Sequence, residues 1–318
     1  MATTSELLDY EITDAASYAA VLRGSNVELS QLAPGPLRGH HLRAELPCGG
    51  VSWVETNLPL RGSGRFPLGM WTLSVVTGAR TRSFQHGIQV RTGTLLAHGP
   101  GAAHDGLYGR NFSVVCVALH EGLFENIVKG QFPEVSDLLK QEWSVCEPRG
   151  VRRRDLVVRF RQAATILRSD ELVRRSTAAM AAIQDELVGG FLGALAQASP
   201  APPITPLAHA AELVRRSEKL VEKADDHSLQ VGDLCAACGV PRRTLSLAFH
   251  KVLDMGPATF LRRIRLNQVR RILKSRRAGN GTIQVSRVAL DHGFWHLGRF
   301  SSQYRGLFGE SPRETARS

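Results

Sequence analysis

Aromatic side chains make up only 6% of the sequence, cysteines number 5, and no uninterrupted apolar run approaches the roughly 18 residues of a bilayer-crossing helix. With no secretory segment at the start and an odd cysteine count, this predicts a reducing, cytoplasmic setting and no membrane partner. The C-x-x-C stretch Cys235-Ala236-Ala237-Cys238 lacks the second pair, or the spaced histidines, of a zinc site. Cys235 also falls where a short helix needs a small core residue, so a buried hydrophobe is favoured over metal or redox chemistry. His40, His41, His86, His98, His104 and His120 do not supply the paired H-x-H with a following glutamate of a metal-bearing barrel. No catalytic residue, metal or cofactor is therefore predicted, and an enzymatic barrel fused to a second module is the least favoured alternative.

Acidic charge is short as well, 29 Asp+Glu against 40 Lys+Arg for a net of +11, and the shortage is local. From Leu207 onward there are 20 basic and 10 acidic residues, whereas the preceding 206 residues nearly balance at 20 and 19. An excess concentrated on the last third of the chain implies a polyanionic partner, because each neutralised phosphate releases condensed counterions.

That same third contains a repeat. Leu229-Gln230-Val231-Gly232-Asp233-Leu234-Cys235-Ala236-Ala237-Cys238-Gly239-Val240 recurs 54 residues later as Ile283-Gln284-Val285-Ser286-Arg287-Val288-Ala289-Leu290-Asp291-His292-Gly293-Phe294. After one inserted residue, Leu245, Phe249, Val252, Leu253, Asp254 and Pro257 align with Phe300, Tyr304, Leu307, Phe308, Gly309 and Pro312. Each copy reads as a short helix ended by a glycine that takes the left-handed conformation, followed by a second helix. Pro241 suits the opening turn of the first such helix, where an N–H has no intrahelical partner to lose. The stripes Leu245, Phe249, Val252 and Phe300, Tyr304, Leu307 are buried by their spacing. They leave Arg242, Arg243, Ser246, Leu247, His250 and Lys251 outward in the first copy, and His296, Leu297, Arg299, Ser301, Ser302 and Arg305 in the second. These outward sets are the candidate DNA-binding residues, each face suited to a major groove.

Between the copies, Pro257 to about Arg277 reads as one helix with an apolar stripe of Leu266, Val269 and Leu273. About 20 residues span about 30 Å, close to the roughly 34 Å between successive major-groove faces. Arg262, Arg263, Arg265, Arg270, Arg271, Lys274, Arg276 and Arg277 lie along it, with no acidic residue among them. The alternatives for this run are a solvated helix face and a phosphate-binding one.

Residues from about 207 to 318 resemble the DNA-binding domain of the AraC/XylS family of bacterial transcription regulators. The resemblance is carried by Asp233-Leu234-Cys235, Gly239-Val240, Arg243-Thr244-Leu245 with Phe249, and Gly256-Pro257-Ala258-Thr259-Phe260-Leu261. It continues through Arg265-Leu266-Asn267, Val288-Ala289, Gly293-Phe294 and Tyr304-Arg305-Gly306-Leu307-Phe308-Gly309-Glu310-Ser311-Pro312. It implies a bipartite reader whose two recognition helices contact bases mostly through Arg243, Ser246, Leu247, Arg299, Ser301 and Ser302. Leu247 and Ser302 depart from the family pattern, where arginine is common, so base reading leans on Arg243 and Arg299. A leucine offers only apolar contact, for instance to a thymine methyl. Asp254 stands where glycine is usual, which is tolerable because aspartate visits the left-handed region more readily than most residues.

Ser199-Pro200-Ala201-Pro202-Pro203-Ile204-Thr205-Pro206 cannot continue a helix and reads as a semi-rigid linker, 199–206. Before it, residues from about 25 to 120 read as short strands punctuated by glycines, with 51–60, 71–77, 87–91 and 112–119 the best candidates, which suggests a sandwich or barrel. The family resemblance implies a cupin-like effector-sensing barrel or jelly roll over 1–150. Residues 151–198 read as helices with stripes Leu156, Phe160, Ala163, Leu167 and Met180, Ile183, Leu187, Phe191, Leu195. These cover the sheet or form part of a homodimer interface.

The fold class expected is thus α+β, a cupin-like N-terminal domain with packed helices followed by an all-α domain, 207–318, with two helix-turn-helix units. The expected function is a sequence-specific transcriptional regulator, by resemblance an activator, with double-stranded DNA and RNA polymerase as partners. A small-molecule effector is expected in the first domain, where Trp53, Phe66, Trp71 and Tyr108 are the pocket candidates. The second recognition helix with this kind of first domain resembles the ethanolamine-operon activators, which implies an amine effector. A nucleoid-type binder with little sequence preference is the alternative.

Overall fold

Strands alternate their side chains between two faces, and here that alternation separates a helix-covered core from a hollow interior. The computed structural model describes residues 7–15, 18, 26–148, 152–200, 206–223, 229–275 and 284–317. They divide into two compact units, one of residues 1–29 and 38–202 and the other of residues 30–37 and 203–318.

The first unit is built from two antiparallel sheets. The larger has the order β1 (Leu7–Ile12), β3 (Gly39–Leu46), β4 (Gly49–Thr56), β11 (Phe112–His120), β6 (Met70–Ala79), β9 (Leu95–His98), β12 (Trp143–Glu147), β13 (Ser199–Pro200). The smaller has the order β2 (Glu28–Gln31), β5 (Leu60–Arg65), β10 (Ala103–Tyr108), β7 (Ser83–Gln85), β8 (Ile88–Val90). One face of the large sheet presents Ala44, Leu46, Val51, Trp71, Leu73, Val75, Val115, Val117 and Leu119 to a core shared with helices α1 (Glu121–Gln131), α2 (Arg152–Ser169) and α4 (Thr177–Leu195). The short α3 (Glu171–Arg175) joins the last two. Asp170 caps α3 by accepting from the Val173 N–H at 3.1 Å, and Ser176 caps α4 by accepting from the Ala179 N–H at 3.2 Å.

Helix α4 is long and apolar enough by composition to cross a bilayer, although Gln184, Asp185 and Glu186 interrupt its apolar run. Its buried residues Met180, Gln184, Leu187, Val188, Phe191, Leu192 and Ala194 sit in the core against the sheet, and Gln184 accepts a hydrogen bond from the Cys48 N–H at 3.2 Å. Residues 152–198 therefore belong to the first unit. The expected 51–60 strand is two, β4 and β5, with a turn between them. Ser199–Pro200, placed in the linker by sequence, pairs with β12, which proline at a sheet edge permits. The rest of the predicted linker, 201–205, lies outside the described residues.

Among the described residues the second unit is helical apart from the segment 30–37. Its helices are α5 (Pro206–Lys223), α6 (Val231–Cys238), α7 (Arg242–Leu253), α8 (Pro257–Ser275), α9 (Val285–Asp291), α10 (Leu297–Phe308) and α11 (Pro312–Arg317). Residues 30–37 belong to this unit, held by a reciprocal pair in which the Gln31 N–H donates to Asn267 Oδ1 at 2.8 Å and Asn267 Nδ2 donates to the Gln31 carbonyl at 2.9 Å. Gln31 Nε2 also donates to the Leu307 carbonyl at 2.9 Å, and Arg263 donates to the Leu32 carbonyl. Sequence spacing assigned this segment to the first domain, because nothing local marks a contact across 236 positions.

Candidate nucleic-acid interface and interior cavity

Glycine ends α6 where the repeat requires it. Gly239 has φ 67 and ψ 32, its N–H donates to the Ala236 carbonyl at 3.2 Å, and the Val240 N–H donates to the Cys235 carbonyl at 3.2 Å. This closure satisfies carbonyls that the helix end leaves unpaired and turns the chain into α7. The second copy turns at Gly293, φ 78, where the Phe294 N–H donates to the Ala289 carbonyl at 3.0 Å. At the ends of the second helices, Asp254 (φ 54) and Gly309 (φ 80) are both left-handed. At the start of α6, the Gln230 N–H donates to Asp233 Oδ2 at 2.7 Å.

The apolar stripes of the two copies are buried. Leu245, Phe249 and Val252 pack from α7, and Phe300, Tyr304 and Leu307 pack from α10 against Leu266, Val269 and Leu273 of α8 with Val288 and Ala289 of α9. Burial of these stripes fixes which faces remain outward. Arg242, Arg243, Leu247, His250 and Lys251 are exposed on α7 and Ser246 is half-buried. On the second copy His296, Leu297, Arg299, Ser301, Ser302 and Arg305 are all exposed. Arg305 has Glu314 as an exposed neighbour at 3.7 Å.

Two apolar side chains stand out on these faces, Leu247 at 62% and Trp295 at 75% exposure. Trp295 was missed from the sequence, where the reading began one residue later at His296, the N-cap of α10. A tryptophan directly before a basic helix was the available signal.

Part of the basic run along α8 is engaged within the fold. Arg270 pairs with Glu310 at 2.6 Å and lies 4.6 Å over the Phe308 ring. Arg265 donates to the Leu229 carbonyl and Arg263 to the Leu32 carbonyl and to Met255 Sδ. Burial pushes the Arg263 guanidinium down from its ordinary value, assisted by the neighbouring charge of Arg262. These guanidiniums fasten neighbouring segments to α8. Arg276 and Arg277 lie outside the described residues. The cysteine assignment shifts by one turn, with Cys238 buried beside Ser217 at 3.5 Å and Cys235 half-buried.

In the first unit the strand faces opposite the helices line a cavity of about 180 Å³. Ser52, Val54, Thr72, Ser74, Val114 and Cys116 contribute from the large sheet, and Leu60, Gln85, His104 and Tyr108 from the small one. Phe66 and Tyr108 line this space. Trp53 and Trp71 do not, since each is one residue out of phase with the cavity-facing positions of its strand. Trp71 instead packs on Phe124 at 4.8 Å, and Trp53 packs against the helix-side core.

Aromatic and imidazole rings crowd one end of the cavity. Phe66 stacks on His98 at 4.3 Å and meets His104 edge-on at 5.0 Å, and Tyr108 Oη lies 2.6 Å from His104 Nε2. Desolvation, then the neighbouring Arg61 and His86, push His104 down to about 3. Desolvation, then Arg43 and His40, push His41 down to about 4, and burial with His104 and His86 lowers His98 well below its ordinary value. Among the described residues, no cluster of three or more His, Cys, Asp and Glu side chains is arranged to hold a metal ion.

Residues 234–318 match the family model described as a helix-turn-helix domain. Over 100 residues, 31% of this chain, the sequence is 33% identical to the XylDLEGF operon transcriptional activator 2 of Pseudomonas putida, covering 62% of that protein. Over 107 residues it is 32% identical to the probable thc operon regulatory protein of Rhodococcus erythropolis, covering 31% of it. The chain thus spans less than two thirds of the length of these curated relatives. Among solved structures, the AraC-like transcriptional activator CuxR aligns at 13% identity with a TM-score of 0.44, covering 83% of this chain and 94% of that one. ToxT of Vibrio cholerae aligns at 10% identity with a TM-score of 0.31, covering 99% of this chain and 98% of that one.

Proposed function

We propose that this chain, whose C-terminal domain is a helix-turn-helix domain of the AraC/XylS kind, is a sequence-specific transcriptional regulator that reads DNA with α7 and α10. The observation that carries this is the duplicated helix pair, in which both second helices bury one apolar stripe and leave a basic, hydroxyl-bearing face open. Such a face can reach base edges in a major groove, and an arginine there gives a bidentate contact to guanine. Arg243 and Arg299 supply that contact, with Ser246, Ser301 and Ser302 as adaptable partners and Leu247 and Leu297 for apolar contact. Arg242, His250, Lys251, His296 and Arg305 sit at the margins, where phosphates pass.

The regulator acts as an activator, as its Pseudomonas putida relatives of the XylDLEGF operon do, and works with RNA polymerase at the promoter. The hollow first unit is its sensor, and an effector bound there shifts the chain between states of different competence on DNA. Dimerisation through the exposed side of α2, where Val158 and Ile166 stand open, belongs to the same reading.

The test is selection of binding sites from a random duplex pool, followed by titration of the recovered site and of unrelated DNA. A discrete motif with at least about a thousandfold preference supports regulation, in the range of specific over non-specific binding. Recovery of no motif, with equal affinity for all duplexes, sinks it in favour of a nucleoid-type binder.

A further inference from the structure

The cavity of the first unit holds buried polar atoms that no described residue satisfies. Both ring nitrogens of His41, Nδ1 of His98, Nδ1 of His104 and Oε1 of Gln85 are buried without a hydrogen-bond partner, and all four side chains line the cavity. His41, Gln85 and His98 are each 2% exposed and His104 is 7% exposed. Buried polar atoms are almost always paired, so a concentration of orphans around one hollow marks where a ligand's polar atoms belong. The rest of the lining, including Val27, Leu29, Leu60, Leu96 and Val114, is apolar.

The lining also sets the ligand's charge. Among the described lining residues there is no aspartate or glutamate. An ammonium brought in from water would meet no compensating carboxylate, which makes its desolvation costly. Among the described lining residues Arg43 is the one with a permanent charge, and its Nε already lies 3.1 Å from Glu45 Oε1. An entering anion would have to compete with that carboxylate. The titratable remainder is neutral: burial lowers the three histidines, raises Tyr18 and Tyr108, and pushes Cys116 up to about 11. Neutral imidazoles each offer one donor and one acceptor, which suits hydroxyl and carbonyl oxygens.

We infer that this cavity binds an uncharged, largely apolar molecule about the size of one six-membered ring, bearing a hydroxyl or carbonyl oxygen held by His41 and by the His98, His104 and Gln85 group. The size follows from the 180 Å³ of space, a little above a void that accommodates benzene at about 150 Å³. The inference rests on the reading of the first unit as the sensor and names the chemistry it senses. It replaces the amine expected from the sequence, because that expectation needs a counter-charge which the lining lacks.

Three near-isosteric probes separate the possibilities on the full chain at neutral pH: benzyl alcohol, benzoate and benzylamine, followed by calorimetry and thermal shift. Benzyl alcohol is expected to bind roughly tenfold or more tighter than either charged probe. His41→Leu and Gln85→Leu are expected to weaken benzyl alcohol roughly tenfold while leaving toluene unchanged, and either variant that folds suffices. A charged probe that binds as well as the alcohol, failure of all three to bind at millimolar concentration, or variants that affect toluene and alcohol alike would overturn the inference. Gel-shift with the ligand-free chain keeps the two readings apart. A chain that binds benzyl alcohol but selects no DNA site loses its proposed function and keeps this pocket chemistry; the reverse result removes only the pocket chemistry.

Discussion

At Gly239 the repeat depends on one backbone dihedral. A methyl group built there meets no atom within 4 Å, so φ 67 alone disfavours a side chain. Gly239→Ala is expected to cost about 1 to 2 kcal/mol, read as a lowered melting temperature of the C-terminal helices. Asp254 shows the same dihedral carried by a non-glycine residue, and its tolerance was legible in the sequence because aspartate reaches φ 54 at modest cost. On the reading faces, Arg243→Ala or Arg299→Ala should each lose about 1 to 3 kcal/mol on the selected site and little on unrelated DNA. Titration of both duplexes at one salt concentration checks this, and equal losses on the two would contradict the base-reading role. The pocket candidates were only half legible. The sequence offered aromatics without strand phase, and a single-residue phase difference sends Trp71 to the helix side while Thr72 faces the cavity.

Elements were read well where hydrophobic period and turn chemistry agree. The first helix of each copy is closed by a glycine, Gly239 or Gly293, and the second carries the apolar stripe, so the positions of both were legible in the sequence. Helix α8 shows where such reading stops. Its arginines form a charged run by composition, yet Arg270 and Arg263 are fastened within the fold through Glu310 and the Leu32 carbonyl, contacts tens to hundreds of residues away in sequence. The segment 30–37 was illegible for the same reason, since its place depends on the reciprocal amide pair of Gln31 with Asn267. Removing one partner leaves the other buried and unpaired, so Asn267→Ala is expected to destabilise the second unit by about 1 to 3 kcal/mol in a denaturant titration. The histidine-rich end of the cavity gives the first unit an acid sensitivity with a defined sign. His41 falls from an ordinary 6.5 to about 4 in the folded chain, and His104 to about 3. The unfolded chain therefore takes up protons that the folded one does not, and stability declines as pH falls below 6.5 towards these values. Each histidine contributes up to about 1.4 kcal/mol per pH unit over that window, and none above it. Thermal melts of tryptophan fluorescence, dominated by the three tryptophans of the first unit, should shift steadily downward across it. A flat profile would show that these imidazoles are solvated in solution.

For the whole molecule, the net charge of +11 lies almost entirely on the second unit, so attraction to DNA comes from one domain while the other is nearly neutral. Because several of the α8 cations are occupied within the fold, fewer charges are available to phosphates than the bare count of 20 suggests. The exposed margin cations Arg242, Lys251 and Arg305, together with Arg287 exposed on α9, would neutralise about four phosphates, giving a slope near −4 for the logarithm of the binding constant against that of salt concentration. A slope near −10 would instead mean that many more cations than these margins engage the duplex. Arg242→Ala should reduce the slope by about one unit on any sequence, whereas Arg270→Ala should leave the slope unchanged and lower the melting temperature. Measuring both quantities on both variants separates charge that meets DNA from charge that holds the reader in shape.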